Sequence, residues 1–492
     1  MSTVFNALER SAAAHAAQPF LEFPSRQVRF TYAETLERVH DVAARYRARG
    51  YGPGHRVALQ LETCPEFLLH FLALNSLGAS VVPLNPDYRE AELRYVLEHS
   101  EACFVLQKEG LSRFDPPPAP PPGDANECAL LYTSGTTGKP KGCLLGNHYF
   151  LHVGQRYLDE GGLCAVRPGD RLITPLPLFH MNALAVSSTA MILSGGCLVQ
   201  LDRFHPRTWW RDVAESGATI VHYLGVMPAV LLSLPEEPNE KAHQVRFGYG
   251  ANANPRDHAA FEARFGFPLI EAWAMTETGG GALVAASREP RHVGTRCFGF
   301  PPAGLDVKIE DSGELLVRQS GGDPRRGFFS GYLKDEKSTA EAWRDGWFHT
   351  GDAVRRGPDG ALHFVDRLKN IIRRAGENIA ALEVEAALAG HPAIAQVAVI
   401  AVPDSVRDEE VMACVVLSQK SLLSRETALS IQDWCLERLA YFKAPGHVAF
   451  VDSLPTTATN KVQKAKLADF ALKAADSYDL RERKKRTAAK SV

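Results

Sequence analysis

Short apolar runs alternate with amphipathic helical patterns in the N-terminal part of the chain, and this alternation restricts the fold more than any other feature. Residues 56–61, 79–84 and 103–106 form largely apolar runs of strand length, which indicates buried strands. Upstream of them, Thr31 and Glu34 have the spacing of a helical capping box. Strands that alternate with helices predict an α/β fold with largely parallel sheets.

The chain has 492 residues, more than one hydrophobic core usually holds, so at least two domains are predicted. Its 45% hydrophobic and 23% charged residues are typical of a soluble globular protein. A formal net charge of -2 gives no electrostatic footprint for nucleic acid or for an anionic membrane surface. Neither nucleic acid nor a membrane is therefore predicted as a partner, and no window approaches a membrane span.

Nine cysteines lack a C-x-x-C pair, so neither a disulfide framework nor a zinc site is indicated. Reduced thiols in a cytoplasmic protein are the simplest interpretation. Residues 1–20 mix acidic and basic side chains without a continuous apolar segment, which argues against a signal peptide. The proline-rich residues 115–124 predict a stiff surface connector, and residues 481–492 predict a solvated basic tail.

The segment LLYTSGTTGKPKGCLL (130–145) joins an apolar lead-in to a loop of glycine, hydroxyl-bearing and lysine residues. The loop fails the P-loop pattern, because only two residues separate Gly135 from Gly138 and because Pro140 follows Lys139. Proline has no hydroxyl with which to hold a metal ion there. Backbone N–H groups and lysines together suit a polyanion, so a phosphate-binding loop is predicted, with an ordinary flexible loop as the alternative.

Further motifs follow this loop in a fixed order. They are PLPLFHMNAL (175–184), GYGANANP (248–255), EAWAMTETGG (271–280), GELLVR (313–318), GYL (331–333), DGWFHTGD (345–352), FVDRLKNIIRRAGENIAALEVE (364–385), VPDSVRDEEV (402–411) and LPTTATNKVQKAKL (454–467). With these motifs the chain resembles the adenylate-forming superfamily of acyl-CoA synthetases, nonribosomal peptide synthetase adenylation domains and luciferases. Residues 219–234 and 370–385 look most like the bacterial crotonobetaine/carnitine-CoA ligases.

The resemblance implies an α/β fold with a large N-terminal domain of stacked α/β subdomains plus a β-barrel-like subdomain, and a small mobile α+β C-terminal domain. In this chain the expected boundaries are 1–367 for the N-terminal AMP-binding domain, 368–370 for a hinge and 371–480 for the C-terminal domain, followed by the tail at 481–492.

The chemistry that the resemblance implies has two steps. A carboxylate first attacks ATP, which gives an acyl-adenylate and pyrophosphate, and a thiol then displaces AMP. ATP, Mg²⁺, coenzyme A and a small-molecule carboxylic acid are accordingly the expected ligands.

The same resemblance implies roles for individual residues. Glu277 is expected to bind Mg²⁺, and Thr276 to contact the α-phosphate. Asp352 is expected to accept hydrogen bonds from the ribose hydroxyls, and Arg367 to reach ribose and phosphate. Trp273 is expected to form a wall of the adenine site, although a buried tryptophan is more often part of a core. The expected ATP-binding residues are Thr133, Ser134, Gly135, Thr136, Thr137, Gly138, Lys139, Lys141, Gly250, Ala251, Glu271, Ala272, Trp273, Asp352 and Arg367.

Lys461 is expected to orient the substrate carboxylate against the α-phosphate, although its local sequence is equally compatible with a solvent-facing lysine. Asn460 stands where the family usually has glycine, and asparagine tolerates the left-handed backbone conformation. The C-terminal domain is expected to swing about Lys369 between the two steps. Gly376 would let the pantetheine arm of CoA pass close to the backbone, a passage that Ala375 narrows slightly.

The expected acyl pocket contains His180, Gly250 and Ala274. His180 stands where amino-acid-activating members carry aspartate, so an α-amino acid is disfavoured, and a core histidine is the alternative. Ala274 stands where acetate-specific members carry tryptophan, which leaves room for a small to medium carboxylic acid.

The expected catalytic residues are His180, Thr276, Glu277 and Lys461. Two other classes of function stay open from the sequence. A stand-alone adenylation enzyme could load a carrier protein rather than CoA, and a catalytically weakened relative could serve as a nucleotide-binding partner. A homodimer is compatible with either class.

Overall fold

The computed structural model of the chain describes residues 2–88, 90–107, 117, 126–133, 140–374, 377–404, 406–456, 462–471 and 476–484. Its helices are α1 (Val4–His15), α2 (Tyr32–Arg47), α3 (Pro65–Ser76), α4 (Glu90–Ser100), α5 (Asn147–Asp159), α6 (Ser188–Ser194), α7 (Trp209–Glu215), α8 (Val226–Ser233), α9 (Pro255–Phe265), α10 (Glu336–Ala342), α11 (Ala381–Leu388), α12 (Arg425–Leu436) and α13 (Lys464–Ala471). Within these described residues, none of the helices has the length and apolar character needed to cross a membrane.

The strands follow in chain order. They are β1 (Pro19–Phe23), β2 (Val28–Thr31), β3 (Arg56–Gln60), β4 (Ser80–Pro83), β5 (Phe104–Gln107), β6 (Glu127–Thr133), β7 (Lys141–Gly146), β8 (Arg171–Thr174), β9 (Cys197–Gln200), β10 (Ile220–Leu224), β11 (Phe247–Ala251), β12 (Leu269–Trp273), β13 (Val284–Ala285), β14 (Cys297–Gly299), β15 (Leu305–Ile309), β16 (Glu314–Gln319), β17 (Gly331–Tyr332), β18 (Trp343–Arg344), β19 (Trp347–Arg356), β20 (Leu362–Arg367), β21 (Ile371–Arg374), β22 (Glu377–Ala380), β23 (Ile394–Asp404), β24 (Asp408–Leu417), β25 (His447–Phe450) and β26 (Ser477–Asp479). The mixed α/β fold predicted from the sequence is confirmed.

The chain divides into two compact units. The first comprises the described residues of Met1–Lys308, Leu316–His349 and Arg356–His363. The second comprises the described residues of Ile309–Leu315, Thr350–Arg355 and Phe364–Val492.

The largest sheet has eight strands in the order β13-β12-β11-β10-β8-β9-β1-β2. Neighbouring strands run parallel from β1 through to β12, and only the edge strands β2 and β13 are antiparallel to their neighbours. The predicted parallel sheet is therefore confirmed. Parallel strands end at the same edge, so the loops that follow β11 and β12 emerge side by side.

A six-stranded sheet has the order β17-β7-β6-β4-β3-β5. Strands β3, β4 and β5 coincide with the three apolar runs predicted from the sequence, and they pair in parallel. Strand β7 pairs antiparallel with β6, and β17 pairs antiparallel with β7. The predicted proline-rich connector at 115–124 lies outside the described residues except at residue 117.

Helix α2 begins at the capping box predicted from the sequence. The N–H of Glu34 donates to Thr31 Oγ1 at 3.2 Å, and the N–H of Thr31 donates to Glu34 Oε2 at 2.8 Å. Such a cap stabilises a helix by about 1 kcal/mol. The helix buries one face through Val39, Ala43 and Tyr46.

Buried amide side chains connect α1, α3 and α5 at the centre of the first unit. Asn75 Nδ2 donates to Asn147 Oδ1 at 2.8 Å, and Asn75 Oδ1 accepts from the N–H of Phe5 at 2.9 Å. Asn147 Oδ1 also accepts from the N–H of Val4 at 3.1 Å. Because buried polar groups are costly without partners, these bonds fix the start of α5 relative to α1 and α3.

Two further sheets complete the fold. One has the order β14-β20-β19-β16-β15, with β18 paired to β19. The other, in the second unit, has the order β22-β21-β24-β25-β26, with β23 paired to β24. Ile372, Val399, Val411 and Val448 belong to one buried hydrophobic cluster of this second unit. The second unit therefore has a core of its own.

Candidate functional site

The glycine-rich loop connects β6 to β7, whose register places Thr133 opposite Lys141. The two strands are antiparallel neighbours, so the loop closes a hairpin at their shared end. The remaining predicted phosphate-binding residues lie outside the described part of the chain. They are Ser134, Gly135, Thr136, Thr137, Gly138 and Lys139.

Lys141 is held by the segment that follows β17. Its Nζ donates to Ser338 Oγ at 2.6 Å and lies 3.6 Å from Asp335 Oδ2. The same Nζ lies 5.0 Å from the centroid of the Tyr332 ring. Asp335 also caps α10 by accepting from the N–H of Ser338 at 3.0 Å. A defined ammonium group therefore stands at the end of the predicted phosphate-binding loop.

Glu277 is buried, with 7% of the residue exposed. Tyr332 donates its hydroxyl hydrogen to Glu277 Oε1 at 2.9 Å, and the Glu277 carbonyl oxygen accepts from the N–H of Phe329 at 2.9 Å. No other described residue donates to the Glu277 carboxylate. One of its oxygens is therefore positioned by the protein, while the other remains available as a hard ligand of the kind that Mg²⁺ prefers.

Thr276 and Glu277 lie in a turn after β12. The N–H of Met275 donates to Thr278 Oγ1 at 2.9 Å, which closes the turn with a threonine side chain. Tyr149 of α5 donates its hydroxyl hydrogen to the carbonyl oxygen of Thr276 at 2.8 Å. Helix α5 therefore supports the backbone that presents Glu277.

Three glycines follow this turn and pack directly against their neighbours. A Cβ atom on Gly279 would lie 2.2 Å from Tyr149 Cε2, and Gly279 has a φ of 49°. A Cβ on Gly280 would lie 2.7 Å from Val153 Cα, and one on Gly281 would lie 2.3 Å from a ring carbon of Phe328. Only residues without a side chain fit here, so Gly279 and Gly280 let the Glu277 turn approach α5 closely, and Gly281 lets it approach Phe328.

The charged groups of this region are the Glu277 carboxylate, the Lys141 ammonium and the Asp335 carboxylate, whose Oδ2 lies 3.6 Å from Lys141 Nζ. Burial raises the pKa of Tyr332, and the neighbouring Glu277 raises it further, so the phenol remains a neutral donor. Burial likewise raises the pKa of Cys143, the residue that pairs with Tyr332 between β7 and β17. A thiol of this kind is not a nucleophile at neutral pH.

The predicted ATP-binding residues Gly250 and Glu271 face each other across β11 and β12. Glu271 accepts from Tyr223 OH at 2.8 Å and from the N–H groups of Asn252 and Ala253, each at 2.9 Å. Burial is the main cause of its raised pKa. Glu271 thus uses both oxygens to shape the loop after β11, and Gly250 is required because a Cβ there would lie 2.2 Å from the Tyr223 carbonyl oxygen.

The neighbouring predictions lie at the ends of the same two strands. Ala251 is the last residue of β11, and Trp273 is the last of β12. The Trp273 ring centroid lies 5.9 Å from that of Phe298, and the residue is buried. Ala272 and Ala274, on either side of Trp273, are both half-buried. The acyl pocket predicted to contain Ala274 stays a prediction.

His180 lies at the start of an unusual helical segment. Its ring centroid lies 4.8 Å from that of Phe179, and its carbonyl oxygen accepts from the N–H of Leu184 at 3.0 Å. The next segment, Asn182–Ser187, is a π-helix. Such turns frequently occur at functional sites, and here the π-helix follows the histidine predicted to belong to the acyl pocket.

A buried polar network extends from this π-helix. Asn182 Oδ1 lies 3.1 Å and Ser187 Oγ 2.8 Å from His222 Nδ1, and Tyr157 OH lies 3.1 Å from His222 Nε2. Burial lowers the pKa of His222 to about 3, so the ring is neutral. Because an amide oxygen only accepts, Nδ1 carries the proton and Nε2 accepts from Tyr157. The sequence assigned no role to His222, although the residue lies within the segment 219–234.

In the second unit, Arg367 pairs with Asp352. Arg367 Nε lies 2.7 Å from Asp352 Oδ1, and the Asp352 residue is 2% exposed. The N–H of Asp352 donates to Thr350 Oγ1 at 3.0 Å, which orients the turn. The two residues predicted to contact the nucleotide ribose are therefore brought together.

Asp366 braces the predicted hinge from within the second unit. Its Oδ1 accepts from Asn370 Nδ2 at 3.0 Å, and its Oδ2 accepts from the N–H of Leu382 at 2.9 Å. Lys369 lies in the short 3₁₀ turn Leu368–Asn370 between them. The predicted CoA-binding Gly376 and the predicted catalytic Lys461 lie outside the described residues.

Two family profiles cover most of the chain. That of the AMP-binding enzyme matches residues 8–114 and 107–332, and that of the AMP-binding enzyme C-terminal domain matches residues 383–461. The chain belongs to the AMP-binding enzyme family. The adenylate-forming superfamily predicted from the motifs is thereby confirmed.

This AMP-binding enzyme is similar to named CoA ligases. The crotonobetaine/carnitine–CoA ligase of Escherichia coli O45:K1 (strain S88 / ExPEC) is 29% identical over 489 residues, which cover 89% of this chain and 93% of that protein. The protein of the same name from Proteus mirabilis (strain HI4320) is 30% identical over 491 residues, with the same coverage. Together with the family profiles, these relatives identify the chain as an acyl-CoA synthetase, which confirms the prediction.

The chain is also similar in fold to solved structures, one bound to ATP and one to an acyl-adenylate. ATP-bound MatB from Rhodopseudomonas palustris matches with a TM-score of 0.81 and 25% identity, over 95% of this chain and 99% of that one. The o-succinylbenzoate CoA synthetase MenE from Bacillus subtilis, in complex with its acyl-adenylate intermediate, matches with a TM-score of 0.80 and 27% identity, over 94% and 97%.

Proposed function

We propose that this AMP-binding enzyme is an AMP-forming carboxylate–CoA ligase that acts on a small to medium carboxylic acid. One observation carries the proposal. Tyr332 contacts both the buried carboxylate of Glu277, through its hydroxyl group, and the ammonium group of Lys141, through its ring, at the end of the predicted phosphate-binding loop. An anion that can bind a metal ion and a cation that can bind phosphate are what a metal–nucleotide complex requires.

In the first step, a carboxylate oxygen of the acid forms a bond to the α-phosphorus of ATP. The bond between the α-phosphorus and the bridging oxygen breaks, and pyrophosphate leaves with the electron pair. Lys141 stands at the end of the loop that would follow the pyrophosphate, where its charge stabilises the leaving group. Lys461 is proposed to hold the attacking carboxylate in line.

Glu277 would hold Mg²⁺, which neutralises phosphate charge when it is bound. The carboxylate fits this ion, because its Oε1 is fixed by Tyr332 and no described residue donates to Oε2. Thr276, on the same supported turn, would contact the α-phosphate. The hydrogen bond from Tyr332 thus orients the Glu277 carboxylate, the proposed metal ligand, before the nucleotide binds.

In the second unit, Asp352 would accept from the ribose hydroxyls. Arg367 Nε lies 2.7 Å from Asp352 Oδ1, so the guanidinium supplies a counter-charge to the buried carboxylate. Removal of either partner would leave the other without its counter-charge.

In the second step, the CoA sulfur forms a bond to the acyl carbon, and AMP leaves with the electrons of the acyl–oxygen bond. We propose that the C-terminal domain, residues 371–480, turns about the hinge at 368–370 so that Lys461 withdraws and CoA enters past Gly376. The Asp366–Asn370 bond lies across the hinge residue Lys369, which supports this position as the place where the backbone changes.

The half-buried Ala274 supports an acid larger than acetate, because its side chain is small. His180 is proposed to contact the substrate carboxylate. The names of the relatives, which are CoA ligases or CoA synthetases, support CoA rather than a carrier protein as the acceptor.

The experiment is a panel of carboxylic acids of increasing size, incubated with ATP, Mg²⁺ and CoA and scored for both AMP and thioester. AMP and acyl-CoA formed together from at least one small or medium acid would support the ligase. Pyrophosphate exchange without a thioester from free CoA would favour the carrier-protein loader. Nucleotide binding without AMP release from any acid would favour a catalytically weak partner protein.

A further inference from the structure

Tyr332 contacts both charged groups of the nucleotide site. Its hydroxyl donates to Glu277 Oε1 at 2.9 Å, and its ring centroid lies 5.0 Å from Lys141 Nζ. Glu277 and Lys141 are far apart in sequence and stand on different strands and turns. The Tyr332 side chain therefore contacts the Glu277 carboxylate through its hydroxyl group and the Lys141 ammonium through its ring.

Tyr332 is itself fixed by its surroundings. It pairs with Cys143 between β17 and β7, and its N–H donates to Thr339 Oγ1 at 2.9 Å. Its ring centroid lies 4.8 Å from that of Phe329, whose N–H donates to the Glu277 carbonyl oxygen. The backbone and the side chain of this segment thus reach the same glutamate.

The segment after Tyr332 holds the cation in the same way. Asp335, the N-cap of α10, and Ser338, in its first turn, both contact Lys141 Nζ. The residues from Phe329 to Thr339 therefore contact both Glu277, the candidate metal ligand, and Lys141, the candidate phosphate ligand. We name this segment the β17–α10 clamp.

We propose that Tyr332 is a positioning residue that orients the Glu277 carboxylate for a divalent cation bound with the nucleotide, an inference that rests on the proposed function. The hydroxyl occupies Oε1 and so directs Oε2 toward the ion. The ring supports Lys141 separately, through a cation–π contact. Two roles on one side chain can be separated by substitution, because phenylalanine removes the hydroxyl and keeps the ring.

The test titrates Mn²⁺ into the protein with α,β-methylene-ATP, an analogue whose α–β bond does not break, and follows bound Mn²⁺ by electron paramagnetic resonance. Loss of an outer-shell hydrogen bond to a metal ligand typically weakens metal affinity about tenfold to a hundredfold. Tyr332→Phe should show a loss of this size, while its KM for ATP at saturating Mg²⁺ should change little. Tyr332→Leu should also raise that KM, because the ring under Lys141 is gone.

A double substitution separates positioning from general stability. If Tyr332 acts through Glu277, Tyr332→Phe should add no further loss of Mn²⁺ affinity in a Glu277→Ala background. Tyr478→Phe, which removes a hydroxyl from β26 in the other unit, serves as the control and should bind Mn²⁺ like the wild type.

The outcomes distinguish this inference from the proposed function. If the wild type does not bind Mn²⁺ together with the analogue, the proposed function fails. If the wild type binds both and Tyr332→Phe binds Mn²⁺ equally well, the positioning role alone is overturned. A loss of affinity in Tyr332→Phe that persists in full in the Glu277→Ala background would also overturn it, since the effect would not pass through Glu277.

Discussion

Asp366 Oδ1 accepts a hydrogen bond from Asn370 Nδ2 at 3.0 Å, directly across the turn that contains Lys369. A backbone rotation at Lys369 changes the separation of these two residues. The bond therefore belongs to one state of the proposed hinge, and the turn is an ordered element with a defined geometry.

Lys369→Pro should separate the two half-reactions. Proline confines φ to one narrow range, so the hinge would reach only one of its two backbone states. We expect adenylate formation to survive while thioester formation falls by about tenfold or more. Single-turnover assays of each step measure this, with Lys369→Ala as the control. Equal loss of both steps with an unchanged melting temperature would contradict the two-position mechanism.

Lys461→Ala should have the reverse effect. If Lys461 holds the attacking carboxylate only in the first step, adenylate formation should fall by on the order of a hundredfold. The variant should still convert supplied acyl-adenylate and CoA to thioester. Lys466→Ala, an exposed lysine of α13, is the matched control and should retain both steps. A fall in the second step as large as that in the first would argue against this role.

His180→Ala should alter the choice of acid more than the affinity for ATP. We expect the relative kcat/KM of two acids of different size to change by about tenfold or more, because the side chain is proposed to contact the substrate. The measurement compares the acid panel with KM for ATP, and His205→Ala serves as a surface control. An unchanged acid profile together with unchanged thioester formation would make His180 a core histidine.

Glu160 gives a prediction for stability. Burial, only partly offset by Arg156, raises the pKa of its carboxyl from 4.5 to about 7, although Arg156 Nη2 lies 3.4 Å from Oε1. The folded state therefore binds more protons than the unfolded chain between these values, and stability falls as the pH rises through this window. Above about pH 7 the ionised form destabilises the fold by at most about 3 kcal/mol.

Glu160→Gln should remove this destabilisation. Its melting temperature should rise relative to the wild type at about pH 8, and the gain should be smaller at about pH 5, where the folded-state carboxyl is already protonated. Glu37→Gln, at an exposed position of α2 that does not contribute to the Glu160 pKa, should show no such pH-dependent difference. A gain of the same size at both pH values would mean that the charge of Glu160 is not the cause.

The parts of the fold that sequence patterns predicted are local. Thr31 and Glu34 lie three residues apart, so the capping box needs no knowledge of the rest of the chain. Strands β3, β4 and β5 were predicted because buried strands of a parallel sheet are apolar on both faces. The motifs likewise identified Glu277 and Asp352 as candidates, through resemblance rather than through spacing.

The parts that were missed depend on distant partners. Tyr332 belongs to the GYL motif (331–333), but the sequence assigned it no role, because its hydrogen bond to Glu277 joins residues 55 positions apart. His222 stands within an apolar strand, and only the folded chain brings Asn182 and Tyr157 to its two nitrogens. Glu271 was predicted to bind ATP, whereas its observed bonds to the loop after β11 could not be inferred from the residues next to it.

The three glycines after Glu277 change how variants of this enzyme should be interpreted. Gly279 and Gly280 have no space for a Cβ atom beside α5, and Gly281 has none beside Phe328. A variant library will therefore record these positions as intolerant, in the same way as the residues proposed to bind the nucleotide. Variants at the glycines should lose folded protein during expression, and cooler culture should recover part of it, whereas Glu277 variants should accumulate normally and remain inactive.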